Sequence, residues 1–116
     1  MPVLDRHKAN MVELSPGVER WQLVASELGA QSLTVADLTL TQESMVPTHM
    51  HPTEEAMVIL EGELEAVLGD SVTTVRAGQT VLAPAGVKHG FVNRSGSDAR
   101  LMAIFPTADM ERIPVD

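Results

Sequence analysis

The sequence predicts an all-β protein, either a barrel or a sandwich. Three observations lead there. Short runs rich in Val, Leu, Ile and Thr recur along the whole chain, turn-forming residues separate them at regular intervals, and the 3.6-residue period of an amphipathic helix is weak throughout.

The expected strands span residues 19–25, 33–41, 55–60, 63–68, 71–75, 80–83, 88–94 and 100–105. Ser15-Pro16-Gly17 precedes the first of them. Gly29, Gly62, Gly69-Asp70, Ala77-Gly78, Pro84-Ala85-Gly86 and Ser95-Gly96-Ser97-Asp98 fall between the later ones. These separators supply the positive φ of glycine or the fixed φ of proline that tight turns require. Residues 24–31 have room for a helical turn or two, which Gly29 stops from extending further. Residues 110–116 contain Pro114 and read as an extended tail.

The length of 116 residues, with 44% hydrophobic side chains, suits one domain covering residues 1–116. A chain of this size can bury about two-thirds of its unfolded surface, so it can form a core without covalent staples. It contains no cysteine, which excludes disulfides, thiolate zinc sites, iron–sulfur clusters and thiol nucleophiles. The net charge is −8 with no basic cluster, so nucleic acid and anionic membrane are not expected partners. Trp21, Phe91 and Phe105 are the only aromatics, and there is no tyrosine to act as a phenolic acid or base. The N-terminal residues lack the apolar core of a signal peptide, and no apolar stretch approaches 18 residues. The expectation is a soluble cytoplasmic protein.

Four histidines remain as the chemical resource. His49 and His51 are two apart in a stretch expected to be extended, which puts both imidazoles on one face and lets them share an ion. Glu55 opens the next strand and adds a hard oxygen ligand. His89 follows the Pro84-Ala85-Gly86 turn, which aims the chain back along the barrel wall. Three imidazoles and a carboxylate suit one divalent first-row ion, Fe, Mn, Ni, Co or Zn, with up to two open positions if it is octahedral. His7 has no partner at ligand spacing, and Glu54 reads as a solvated neighbour of Glu55.

These residues also form a recognisable pattern. His49-x-His51-x3-Glu55-x6-Gly62 resembles the first cupin motif, and Gly78-x5-Pro84-x-Gly86-x2-His89-x3-Asn93 resembles the second at every fixed position. The two stretches occupy residues 43–62 and 78–93. The resemblance implies a small single-domain cupin: a double-stranded β-helix, or jelly-roll barrel, with His49, His51, Glu55 and His89 binding a metal in its mouth. At one position the chain departs from the family pattern. The first motif usually opens with glycine six residues before the first histidine, and here Glu43 stands there.

With Glu55 pointing inward, period-two alternation sends Met57 and Ile59 inward and Ala56, Val58 and Leu60 outward. His89 likewise takes Phe91 and Asn93 inward. The pocket is therefore expected to be apolar and lined by Met45, Met57, Ile59 and Phe91. The apolar outer stripe needs a cover, either the N-terminal strand or a second subunit, and a homodimer is expected.

A 2+ ion with one carboxylate leaves a site charge of +1. At about 4 Å this is worth roughly 4 kcal/mol to an anionic oxygen at an effective dielectric of about 20. An acidic protein can therefore still take an anionic or enolisable small molecule at this spot. The functional expectation is a mononuclear metalloenzyme with metal-bound water as its base. Fe(II) would suit a dioxygenase, and the other ions an isomerase, decarboxylase or lyase. A non-catalytic metal-dependent binding or sensor module is the alternative.

Overall fold

The computed structural model describes residues 2–115. It contains eleven strands: β1 Asn10–Ser15, β2 Val18–Val24, β3 Thr34–Leu40, β4 Met45–Met50, β5 Glu55–Glu61, β6 Glu63–Leu68, β7 Ser71–Arg76, β8 Thr80–Ala83, β9 His89–Val92, β10 Ala99–Phe105 and β11 Ile113–Pro114. They form a six-stranded sheet in the order β1-β2-β3-β10-β5-β8 and a five-stranded sheet in the order β11-β4-β9-β6-β7. Every pairing is antiparallel. From β3 onward the chain switches repeatedly between the sheets, and their inner faces close on one core: a jelly-roll barrel, as expected.

Alternation builds that core. On β10, Ala99, Leu101, Ala103 and Phe105 are buried, and on β5 the buried residues are Glu55, Met57 and Ile59. Leu64 and Ala66 face them from β6, and Ala36, Leu38 and Leu40 extend the interior along β3.

Three local features add to the sequence reading. Strand β1, which precedes the first expected strand, pairs along β2. Its burial is low, so no apolar alternation marks it in the sequence. Over residues 24–31 a single 3₁₀ turn forms, Ser26–Leu28, closed by Gly29 at φ +100°. The C-terminal tail pairs: Ile113 and Pro114 lie opposite Met50 and His49 of β4. Asp116, the last residue of the expected tail, lies outside the described residues.

The N-terminal segment does not cover the apolar outer stripe of β5. It closes instead over β2 and β3, where Arg6 stacks 4.3 Å above the Trp21 ring and reaches Asp37. Ala56 and Val58 stay half-buried, while Leu60 and the neighbouring Leu82 are exposed. No helix among the described residues is long and apolar enough to cross a membrane.

Candidate metal centre

The four candidate ligands come from three strands of the barrel. His49 lies near the end of β4, His51 just beyond it, Glu55 at the start of β5 and His89 at the start of β9. The register between β4 and β9 slips between Val46 and His49, so β4 carries one extra residue around Pro47. Gly90 permits this close approach, because a Cβ there would sit 2.7 Å from the Val46 carbonyl oxygen. The Gly86 N–H donates to the His51 carbonyl at 2.8 Å, tying the turn before His89 to the first motif.

All four side chains are buried, and one potential ligand atom from each lies within 4.8 Å of the others. Ligands on an ion at bonds of about 2.1 Å lie roughly 3.0 to 4.2 Å apart, so the cluster needs only small adjustments to hold one.

The backbone fixes how the imidazoles are presented. His49 Nδ1 is 2.8 Å from the Pro47 carbonyl, His51 Nδ1 is 2.6 Å from that of Glu111, and His89 Nδ1 is 3.1 Å from that of Val87. A carbonyl can only accept, so each Nδ1 carries its proton and each Nε2 is left for an ion. His51 Nε2 is buried without a hydrogen-bond partner, 3.4 Å from Glu55 Oε1 but poorly aligned with it. Such an orphaned lone pair is what a metal would take up.

His89 Nε2 lies 2.8 Å from the same Oε1 of Glu55. With Nδ1 already donating, this contact favours the imidazolium form of His89 in the metal-free protein. Burial works against that charge, but Glu55 and the Val87 carbonyl overcome it and raise the His89 pKa. Burial likewise pushes the Glu55 carboxyl up, and its contacts with His51 and His89 more than reverse this. His49 lacks a carboxylate contact, and burial drives it down to about 4. It is therefore neutral at pH 7 and ready to ligate. An ion would displace the single proton shared by His89 and Glu55.

Above the cluster opens a pocket with about 60 Å³ available to the centres of water-sized molecules. That is room for on the order of four to six waters, or a ligand of a few heavy atoms. Met57 and Phe91 line it, with Leu38, Leu101 and Phe105. Phe105 packs edge-on to His51 at 4.8 Å.

Two expected lining residues fall elsewhere. Met45 is exposed, because the extra residue in β4 inverts the alternation upstream of His49, and Val46 takes the inner position. Ile59 is fully buried in the core away from the pocket. Asn93 does point inward, but its amide staples loops, donating to the Leu40, Thr41 and Ser97 carbonyls and accepting from Ser95.

Sequence reasoning missed Arg20 and Arg112, which also line the pocket. Arg20 sits on β2 opposite Leu38, and Arg112 immediately precedes β11. Neither stands near a motif, and only the fold brings them to the cluster.

The family model described as "Cupin domain" matches residues 38–105, and the chain belongs to the cupin family. It is 30% identical over 88 residues to germin-like protein subfamily 3 member 1 of Arabidopsis thaliana, covering 71% of this chain but only 42% of that protein. Among solved structures, the polyketide cyclase RemF from Streptomyces resistomycificus superposes with a TM-score of 0.85 at 23% identity, over 100% of this chain and 86% of that one. Bacillus subtilis oxalate decarboxylase, a protein with Mn(II) centres, also gives a TM-score of 0.85. It is 17% identical and covers 95% of this chain and 31% of its own.

Proposed function

We propose that this protein is a mononuclear metalloenzyme acting on a small organic molecule, with His49, His51, Glu55 and His89 holding one divalent first-row ion. One observation carries the reading. Three imidazoles, each with Nδ1 tied to a backbone carbonyl, converge through Nε2 with a buried carboxylate at one end of an apolar pocket. The cyclase and the decarboxylase that share this fold lend support to a catalytic role, each through its own chemistry.

An ion bound there supplies Lewis acidity and, if it is iron, electrons for reaction with O₂. The chain's own residues set the conditions. Leu38, Met57, Phe91, Leu101 and Phe105 give the pocket an apolar wall, which lowers the local dielectric and strengthens electrostatic contacts beside it. Apart from the four candidate ligands, the titratable side chains lining the pocket are the two arginines. The protein therefore brings no separate acid or base to the pocket, and the proton between His89 Nε2 and Glu55 Oε1 is released when an ion takes those two atoms.

Elemental analysis tests the ligand set. Wild type should carry about one ion per chain, and His51→Ala or His89→Ala should carry almost none while keeping a β circular-dichroism spectrum. Full occupancy in either variant overturns the assignment. O₂ uptake with diketones, catechols and thiols, on protein reconstituted with Fe, Mn, Ni, Co or Zn, separates dioxygenase from isomerase, decarboxylase or lyase chemistry.

The same reading makes the functional unit a homodimer that covers Ala56, Val58, Leu60 and Leu82 on the outer face. A light-scattering mass near 12.5 kDa at micromolar concentration would refute the dimer.

A further inference from the structure

The chain has six arginines, and four of them are paired. Arg6 and Arg100 reach Asp37, Arg76 reaches Glu63, and Arg94 reaches Glu65. The other two, Arg20 and Arg112, have no carboxylate within ion-pair distance among the described residues, and both line the pocket above the histidine cluster.

Their donors are also incomplete. Arg20 Nη2 and Arg112 Nε are buried with no hydrogen-bond partner, and the only contact from the Arg112 guanidinium is a long one of 3.5 Å from Nη2 to the Pro47 carbonyl. A surface arginine would give its N–H groups to water. Buried guanidinium donors left empty are costly, and a ligand that accepts from them removes the cost. The two cations also oppose each other: burial weakens the hold of Arg20 on its proton and Arg112 adds to that effect, while Glu55 and Glu27 act against it from beyond ion-pair distance without cancelling it. An anion relieves both problems. The planar guanidinium fork matches a carboxylate with two oxygens.

We propose that Arg20 and Arg112 form a receptor for the carboxylate of a small oxyacid whose second oxygen-bearing end faces His49, His51, Glu55 and His89. The pocket has room for a small oxyacid between the arginines and the histidine cluster. The orientation toward the cluster rests on the metal-centre reading above. The arginine receptor itself does not, so the two can fail separately.

Isothermal titration of pyruvate and malonate into the metal-free and the Mn²⁺-loaded protein tests the proposal, with methyl pyruvate as the uncharged control. Both carboxylates should bind the metal-free wild type while methyl pyruvate does not, and Arg20→Gln and Arg112→Gln should each weaken binding at least tenfold. Mn²⁺ should tighten the wild type further.

Carboxylates that bind no better than methyl pyruvate, or that bind the variants equally well, overturn the receptor. If arginine-dependent binding persists but Mn²⁺ is not retained, the receptor stands and the metal reading falls. Folding gives an independent readout. Arg20→Gln should raise the Tm of the metal-free protein by removing a buried, unpaired charge, and a lowered Tm would mark Arg20 as structural and overturn the proposal.

Discussion

At the scale of single residues, two positions make sharp predictions. Glu43 is the only non-glycine with positive φ among the described residues, at +64°, and it occupies the place where the cupin motif usually has glycine. Its N–H donates to the Asn93 carbonyl at 3.0 Å, so the turn is held although the side chain disfavours it. Left-handed backbone costs a non-glycine residue about 1–2 kcal/mol, and glycine returns part of that through unfolded-state entropy. Glu43→Gly should therefore stabilise the protein by about 0.5 kcal/mol in urea unfolding.

His49 predicts a pH dependence. Burial lowers its pKa from 6.5 to about 4, so between those values the unfolded chain takes up a proton that the folded metal-free protein refuses. Stability should fall as pH drops through that window, by about 3 kcal/mol in total. The raised pKa of His89 acts in the opposite sense, adding stability that is full below its unfolded pKa and lost as pH rises through the folded one. Comparing metal-free wild type with His49→Gln isolates the first effect, and the variant should lose less stability between pH 7 and pH 4.5.

At the scale of elements, the sheets are braced from outside as well as packed from within. Asp37 on β3 is fully buried, accepting from Arg100 of β10 through Nε and Nη2 and from Arg6 Nε. Burial opposes its charge, but the two guanidinium groups hold its carboxyl below the usual range. This stabilisation is present above the unfolded carboxyl pKa and is lost as pH falls through the lowered one. Arg100→Ala leaves Asp37 with Arg6 alone and should cost about 2 kcal/mol, less than a fully buried pair because both arginines are partly exposed. Chemical denaturation at pH 7 measures the loss, which should shrink in acid.

This brace was not legible in the sequence, because its members are 31 and 63 residues apart. The strands β5 to β10 were legible, since alternation and turn residues are local signals. Met45 shows where such signals fail: one extra residue beside Pro47 shifts the parity of β4, and nothing in the local pattern records it.

At the scale of the whole molecule, the division between legible and hidden follows the chain. The cupin match ends at residue 105, and the four candidate ligands all fall within it, readable from spacing because each sits in one of two short sequence motifs. The charged part of what surrounds them comes from the flanks: Arg20 from β2 and Arg112 from the segment between β10 and β11, beside Met110 and Glu111. A motif shared by many chemistries thus meets residues outside it, where selectivity for a ligand can differ from one cupin to the next.

The C-terminal segment forms a strap across the barrel. The Thr107 carbonyl accepts from Thr34 Oγ1 at 2.7 Å, Asp109 accepts from Ser26 Oγ at 3.0 Å, and β11 pairs with β4 beside His49. Between these anchors the Glu111 carbonyl accepts a hydrogen bond from His51 Nδ1–H. Truncation after Ala108 keeps ten strands and all four candidate ligands but removes that carbonyl, Arg112 and β11. Loss of a partner that orients a metal ligand costs about 10–100-fold in metal affinity. The truncated protein should keep its β spectrum and bind Mn²⁺ weaker by that factor. Affinity equal to wild type would mean that His51 is oriented without the strap.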